Sequence, residues 1–134
     1  MSDETPRLGY WKMRGLAAQI KYLMVYSGVQ FEEDVYEQGP APEYSTHEWS
    51  DAKFTLGLDF PNLPYFIDGE VKITEDLPIM KYICNKWNPS LLGETPAEMG
   101  EVEMLALTIK DFKSQATMPC YTTGTRESIY AVIN

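Results

Sequence analysis

Residues 65–73 read Tyr-Phe-Ile-Asp-Gly-Glu-Val-Lys-Ile. Two short β-rich runs flank an Asp68-Gly69 step, the preferred type I′ connection of a hairpin, because its twist matches that of the strands. No other stretch constrains the fold as much. A hairpin alone is marginal in water, so further strands or a helix must cover it. Just upstream, Pro61 and Pro64 exclude helix from the approach.

The neighbouring segments supply that cover. Arg7-Leu8-Gly9-Tyr10-Trp11 reads as a strand that ends at an Arg14-Gly15 loop. Leu16, Ile20, Leu23 and Met24 fall at helical spacing as far as Tyr26, and Gly28 stands where such a helix stops. Gln30 to Tyr36 reads as a second strand. Gln38-Gly39-Pro40-Ala41-Pro42 then breaks regular structure, ahead of a short irregular helix between His47 and Phe54. After the hairpin, Asp76 is expected to cap a helix carrying Ile79, Met80, Ile83 and Trp87 on one face. The spacing predicts a longer helix from Pro96 to about Thr117. Thr95 and Glu98 have capping-box spacing, and Val102, Leu105, Ile109 and Phe112 form its expected buried stripe. A last helix is expected over 126–134.

The order is β-α-β, an irregular connector, a β-hairpin, α, then helices only. A β-α-β crossover makes the first two strands parallel, and the hairpin makes the last two antiparallel. One mixed four-stranded sheet with helices packed on it satisfies both, an α/β layout of the thioredoxin-like type. The expected division is a thioredoxin-like domain over 1–88, a linker over 89–95, and the first helices of an incomplete all-helical domain over 96–134.

Charge narrows the partners. The chain has 134 residues, 11 Lys+Arg against 20 Asp+Glu, and a net charge of −9. No basic cluster exists to release counterions from nucleic acid or to meet an anionic membrane. The acidic N-terminus lacks the features of a signal peptide, and no apolar run reaches the ~20 residues of a membrane span. Cys84 and Cys120 are too few for a disulfide scaffold, and the lone His47 cannot build a metal site. Both cysteines are expected to be small buried apolar residues of a cytoplasmic protein.

Three stretches carry a specific resemblance. These are Leu8-Gly9-Tyr10-Trp11 with Arg14-Gly15-Leu16; Trp49 and Lys53 leading into Leu56-Gly57-Leu58-Asp59-Phe60-Pro61-Asn62-Leu63-Pro64-Tyr65; and Ile67-Asp68-Gly69 with Lys72-Ile73-Thr74. Together they closely resemble the mu-class glutathione transferases, over the whole glutathione-binding domain and into the first helices of the second. The resemblance implies that Tyr10 donates its hydroxyl hydrogen bond to the glutathione sulfur. This is oxyanion-hole logic applied to a thiolate. It implies a cis Leu63-Pro64 bond, with the Leu63 backbone pairing the tripeptide and Asn62 orienting that backbone. Trp49 and Lys53 would reach the glycine end, Lys53 meeting its carboxylate, while Trp11 and Leu16 make further glutathione contacts. Met13 and Tyr121 would line the electrophile pocket, with Met118 a weaker candidate. Asp111 would reach the partner subunit's glutathione in a homodimer.

One pair departs from the family pattern. Where mu-class members place Gln-Ser, this chain has Glu75-Asp76. Glu75 could meet the γ-glutamyl amino group. Asp76 would sit at the anion site of a helix start. Two carboxylates ~4 Å apart repel by roughly 1–4 kcal/mol, about one to three decades of affinity. The resemblance therefore implies an enzyme that conjugates the glutathione thiolate to hydrophobic electrophiles, with glutathione as co-substrate and no metal or other cofactor. The alternative is a non-catalytic, glutathione transferase-like structural or interaction subunit of a larger assembly, with glutathione binding weakened by Asp76.

Overall fold

The computed structural model describes residues 4–122, with side chains as far as Pro119. The expected helix over 126–134 therefore lies outside the described residues, as do the side chains of Cys120 and Tyr121. The elements are β1 (Arg7–Trp11), α1 (Ala17–Tyr26), β2 (Glu32–Tyr36), α2 (His47–Ala52), β3 (Tyr65–Asp68), β4 (Val71–Thr74), α3 (Asp76–Trp87), a 3-10 turn at Pro89–Leu92, and α4 (Pro96–Thr122). The chain divides into two compact units, Met1–Leu91 and Leu92–Asn134.

The first unit holds the sheet, in the order β2-β1-β3-β4. β1 pairs with β2 in parallel, while β1–β3 and β3–β4 are antiparallel. This is the expected mixed thioredoxin-like sheet. Successive strand residues point to opposite faces, and the sheet is buried on both. Leu8 and Phe66 join Ile20 and Met24 of α1 and Ile79 and Ile83 of α3 in one core. Tyr65 turns the other way, to pack with Trp49, Leu58 and Leu63. Adjacent Tyr65 and Phe66, both fully buried, thus seal two separate cores.

Burying Tyr65 leaves a phenol to satisfy. Its hydroxyl donates to Asp34 Oδ2 at 2.6 Å and lies 2.9 Å from the Tyr36 hydroxyl. Arg7 donates to the same Asp34 oxygen at 2.6 Å. Burial, followed by the bond to Asp34, pushes the Tyr65 phenol far above its ordinary range. It therefore acts as a neutral donor that ties β3 to β2 across β1.

The hairpin forms, but its turn differs from the expected one. Asp68 pairs with Val71, so the two-residue loop is Gly69-Glu70 rather than Asp68-Gly69. Gly69 alone has a positive φ, +58°, the pattern of a type II′ connection. Asp68 stays in the strand because its carboxylate is buried at 5% exposure. Tyr82 donates to it at 2.7 Å, and the Lys86 ammonium pairs with the same oxygen. That pairing raises the Lys86 pKa and ties the hairpin to α3.

Two further expectations are corrected. Asp76 is the first helical residue of α3, and Glu75 occupies the cap position without a side-chain capping bond. The stripe on α4 is not buried: Val102 is half-buried, and Leu105, Ile109 and Phe112 are exposed. A helix cannot bury its own apolar face, and among the described residues of the second unit α4 is the one regular element complete within it. Cys84 is free and buried as expected, and burial pushes its thiol up. Among the described residues, no helix is long and apolar enough to cross a membrane.

The capping box at the start of α4 is present. Glu98 Oε2 accepts the backbone N–H groups of Glu94 and Thr95, and the Glu98 N–H donates to Thr95 Oγ1 at 3.2 Å. Those backbone donors hold the Glu98 carboxyl below its ordinary value. The stabilisation is therefore complete above the ordinary carboxylate pKa and is lost as pH falls through the depressed one. An acid titration followed by helical circular dichroism is expected to show a steeper loss than in Glu98→Gln, which lacks that titration. Superimposable curves would refute the link.

Candidate functional site

The candidate residues gather where β1 runs into the loop ahead of α1. Tyr10 is half-buried near the end of β1 and packs against both cores. Its hydroxyl oxygen accepts the backbone N–H of Leu16 at 3.1 Å. A phenol carries one hydrogen and two lone pairs. The N–H uses a lone pair, and among the described residues no acceptor takes the hydrogen. A preorganised donor is thus held in place with its hydrogen uncommitted.

Gly15, in the loop between β1 and α1, makes that placement possible. Its φ is +38°, and a Cβ there would lie 2.5 Å from the Tyr10 hydroxyl. No side chain fits without moving the phenol.

A second group forms around the bend before β3. The Leu63-Pro64 bond is cis, as the resemblance implies. Asn62 Oδ1 accepts the Leu63 N–H at 2.9 Å, and Asn62 Nδ2 donates to Glu75 Oε1 at 2.7 Å. Asn62, Leu63 and Glu75 are thus brought together, and Asn62 does orient the Leu63 backbone. Glu75 has φ +74° and ψ 135°, a conformation that costs a non-glycine residue of order 1–3 kcal/mol. Its bond to Asn62 helps hold it there. The sequence carried no signal for this link.

Asp76 is fully buried rather than projecting from the helix end. Its Oδ2 accepts a hydrogen bond from Gln19 Nε2 of α1 at 2.9 Å. Gln19 was not singled out from the sequence, because nothing local distinguishes it from an exposed helical glutamine.

The α2 side is aromatic. Trp49 is buried, stacked on Tyr65 at 6.0 Å and edge-on to Tyr36 at 5.4 Å, and Trp11 meets Tyr36 at 6.5 Å. Lys53 caps α2 through its N–H to the Trp49 carbonyl, and its ammonium lies 4.8 Å from the Phe54 ring centroid. Met13 is exposed in the β1–α1 loop; in the second unit, Asp111 and Met118 are exposed on α4. Among the described residues, no group of three His, Cys, Asp or Glu side chains is placed to hold a metal ion.

Comparison with known proteins follows the same outline. The family model for the glutathione S-transferase N-terminal domain matches residues 6–85. Glutathione S-transferase Mu 4 of Mus musculus is 47% identical over 114 residues, covering 85% of this chain and 51% of that one. Glutathione S-transferase Mu 3 of Homo sapiens is 44% identical, with coverages of 85% and 50%. The chain therefore spans about half the length of the curated relatives it matches. Among solved structures, the glutathione S-transferase Blo t 8 superposes with a TM-score of 0.76 at 33% identity, over 95% of this chain and 55% of that one. The Pi-class enzyme of Onchocerca volvulus, at 24% identity and a TM-score of 0.74 over 89% and 51%, shares the fold. The matched stretch runs from the residue before β1 into the last turns of α3, and so takes in Tyr10, the Leu63-Pro64 bend and the Glu75 corner. With that span and that sheet, the chain belongs to the glutathione S-transferase family, and the curated relatives it matches here are of the mu class.

Proposed function

We propose that residues 1–88 form a glutathione-binding domain that stabilises the thiolate of its co-substrate for attack on hydrophobic electrophiles. Residues 89–95 then serve as linker to a helical domain that begins at Pro96. The observation that carries this reading is the Tyr10 hydroxyl, fixed through its oxygen by the Leu16 N–H with its hydrogen left to donate. A donor aimed at sulfur favours the thiolate over the thiol, so the sulfur loses its proton at lower pH. The thiolate sulfur then attacks the electrophilic carbon, and as the carbon–sulfur bond forms the bond to the leaving group breaks with its electron pair, as halide in the case of an aryl halide.

The remaining roles follow the groupings around Tyr10. The Leu63 backbone, oriented by Asn62, pairs the tripeptide as an added strand would. Lys53 meets the glycine carboxylate, beside Trp49 and Trp11. Glu75 meets the γ-glutamyl amino group, with Asp76 behind it. Met13 and Tyr121 contribute to the electrophile pocket, and Asp111 to the partner subunit's site in a homodimer. Phe54 and Phe60, at 76% and 81% exposure, supply apolar surface that such a dimer would cover. A cytoplasmic setting suits the free Cys84 thiol.

Calorimetric titration with glutathione tests the reading directly. Saturable heat at millimolar ligand is expected, and none at that concentration would sink it. In the same assay Asp76→Ser is expected to tighten binding about tenfold, by removing a buried negative charge from the anion-binding end of α3. Unchanged affinity would refute charge repulsion by Asp76.

A further inference from the structure

Gln19 joins two elements on which the candidate site depends. It is the third residue of α1 and half-buried, and its Nε2 donates to Asp76 Oδ2 at 2.9 Å across 57 positions of sequence. The same turn of α1 follows Leu16, whose N–H holds the Tyr10 hydroxyl at 3.1 Å. One helical turn thus touches both the thiolate donor and the start of α3. The packing of Ile20 and Met24 with Ile79 and Ile83 in one core keeps the two helices together.

The contact decides where the Asp76 carboxylate lies. Asp76 is the first residue of α3 and fully buried, whereas Glu75 beside it is exposed. A buried carboxylate needs donors, and losing one costs more for a charged group than for a neutral one. Gln19 supplies a donor from inside the fold, so the carboxylate is drawn toward α1. Without that donor, the exposed corner at Glu75, one residue away, offers water in its place. A carboxylate turned to that corner competes with an anionic ligand for the positive end of the helix.

We propose that Gln19 is a positioning residue that sets the preference of the site for a ligand carboxylate. By holding Asp76 inward it keeps the start of α3 open to the γ-glutamyl carboxylate of glutathione, limiting the repulsion expected from Asp76 without abolishing it. This rests on the glutathione reading above and adds to it a side chain that touches no ligand. Gln19 acts on one group of the tripeptide alone. Lys53 and the Leu63 backbone belong to other elements, and the Leu16 N–H is a backbone group that a side-chain change at Gln19 leaves in place.

Calorimetric titration with two thiol peptides tests this. Glutathione carries the γ-glutamyl carboxylate; 4-aminobutanoyl-cysteinylglycine lacks that one group and is otherwise the same. Gln19→Met keeps the length and helix preference of the side chain and removes the donor. It is expected to weaken glutathione about tenfold, toward the low end for two carboxylates brought to ~4 Å, while moving the analogue less than about twofold. Asp76→Asn removes the charge and keeps an acceptor for Gln19. In that background Gln19→Met is expected to leave glutathione within about twofold, as a double-mutant cycle requires of a coupled pair. Loosening of the fold would lower both ligands together, and the Tm of each variant reads that loss separately. Equal losses for the two peptides, an unmoved glutathione affinity, or the same tenfold loss in the Asp76→Asn background would each overturn the assignment. Heat from neither peptide with the parent protein would instead overturn the glutathione reading, and the assignment with it.

Discussion

Tyr10→Phe is expected to slow conjugation of glutathione to an activated aryl halide by about a hundredfold at pH 6.5. That is the lower end of the effect of deleting one preorganised donor to a developing anion. The substitution removes only the hydroxyl and keeps the ring that packs against both cores, so the fold should survive. The sulfur then loses its donor, and its pKa returns toward the ~8.5 of an ordinary thiol. The pH–rate profile should accordingly move to higher pH, with the deficit shrinking as pH rises. Glutathione affinity should fall much less than the rate, because Lys53, the Leu63 backbone and the α3 end are untouched. An undiminished rate, or a uniform loss across the pH range, would remove Tyr10 from the role of thiolate stabiliser.

Gly9→Ala is expected to cost at least about 3 kcal/mol of stability, more than most single substitutions. A Cβ on Gly9 would lie 2.1 Å from two carbons of the Tyr65 ring. Tyr65 cannot step aside cheaply. It is fully buried, stacks on Trp49, and donates to Asp34. Moving it opens the aromatic core and breaks the link between β3 and β2. For a domain of about 90 residues, that loss corresponds to a drop of roughly 10–25 °C in Tm. The drop should be visible by calorimetry or near-ultraviolet circular dichroism. A variant within a few degrees of the parent would show that the two strands have room to separate.

Gly9 also illustrates what could be read from residues alone. In the strand Arg7-Leu8-Gly9-Tyr10-Trp11 it is only a weak β-former, and nothing nearby in sequence marks it. Its requirement comes from a tyrosine across the sheet. Gly15 is similar, since the Arg14-Gly15 step announces a loop but not that a phenol hydroxyl fills the space where a side chain would go. Tyr10, Leu63 and Asn62 could be proposed from the sequence because they lie in motifs. The bond from Asn62 to Glu75 lay in no motif, and it joins the two stretches that hold the candidate ligand groups.

Asp68 and Asp76 both depart from the turn and cap roles expected of them, for one physical reason. Turn and cap statistics treat an aspartate as a solvated residue that satisfies its neighbours' backbone. Here Asp68 finds Tyr82 and Lys86 a helix away, and Asp76 finds Gln19 57 positions upstream. A buried carboxylate with such partners need not serve the turn or the cap.

By itself the sequence determined the order of elements up to α4 and the parallel and antiparallel pairings of the sheet. Each follows from periodicity, turn residues and crossover geometry, which act within a few residues or one connection. Only the tertiary structure decided which carboxylates are buried, where the hairpin turns and which glycines are irreplaceable. Those outcomes depend on what stands opposite a side chain in space. Hydrogen-bond partners and steric neighbours tens of residues away leave no mark on the local pattern.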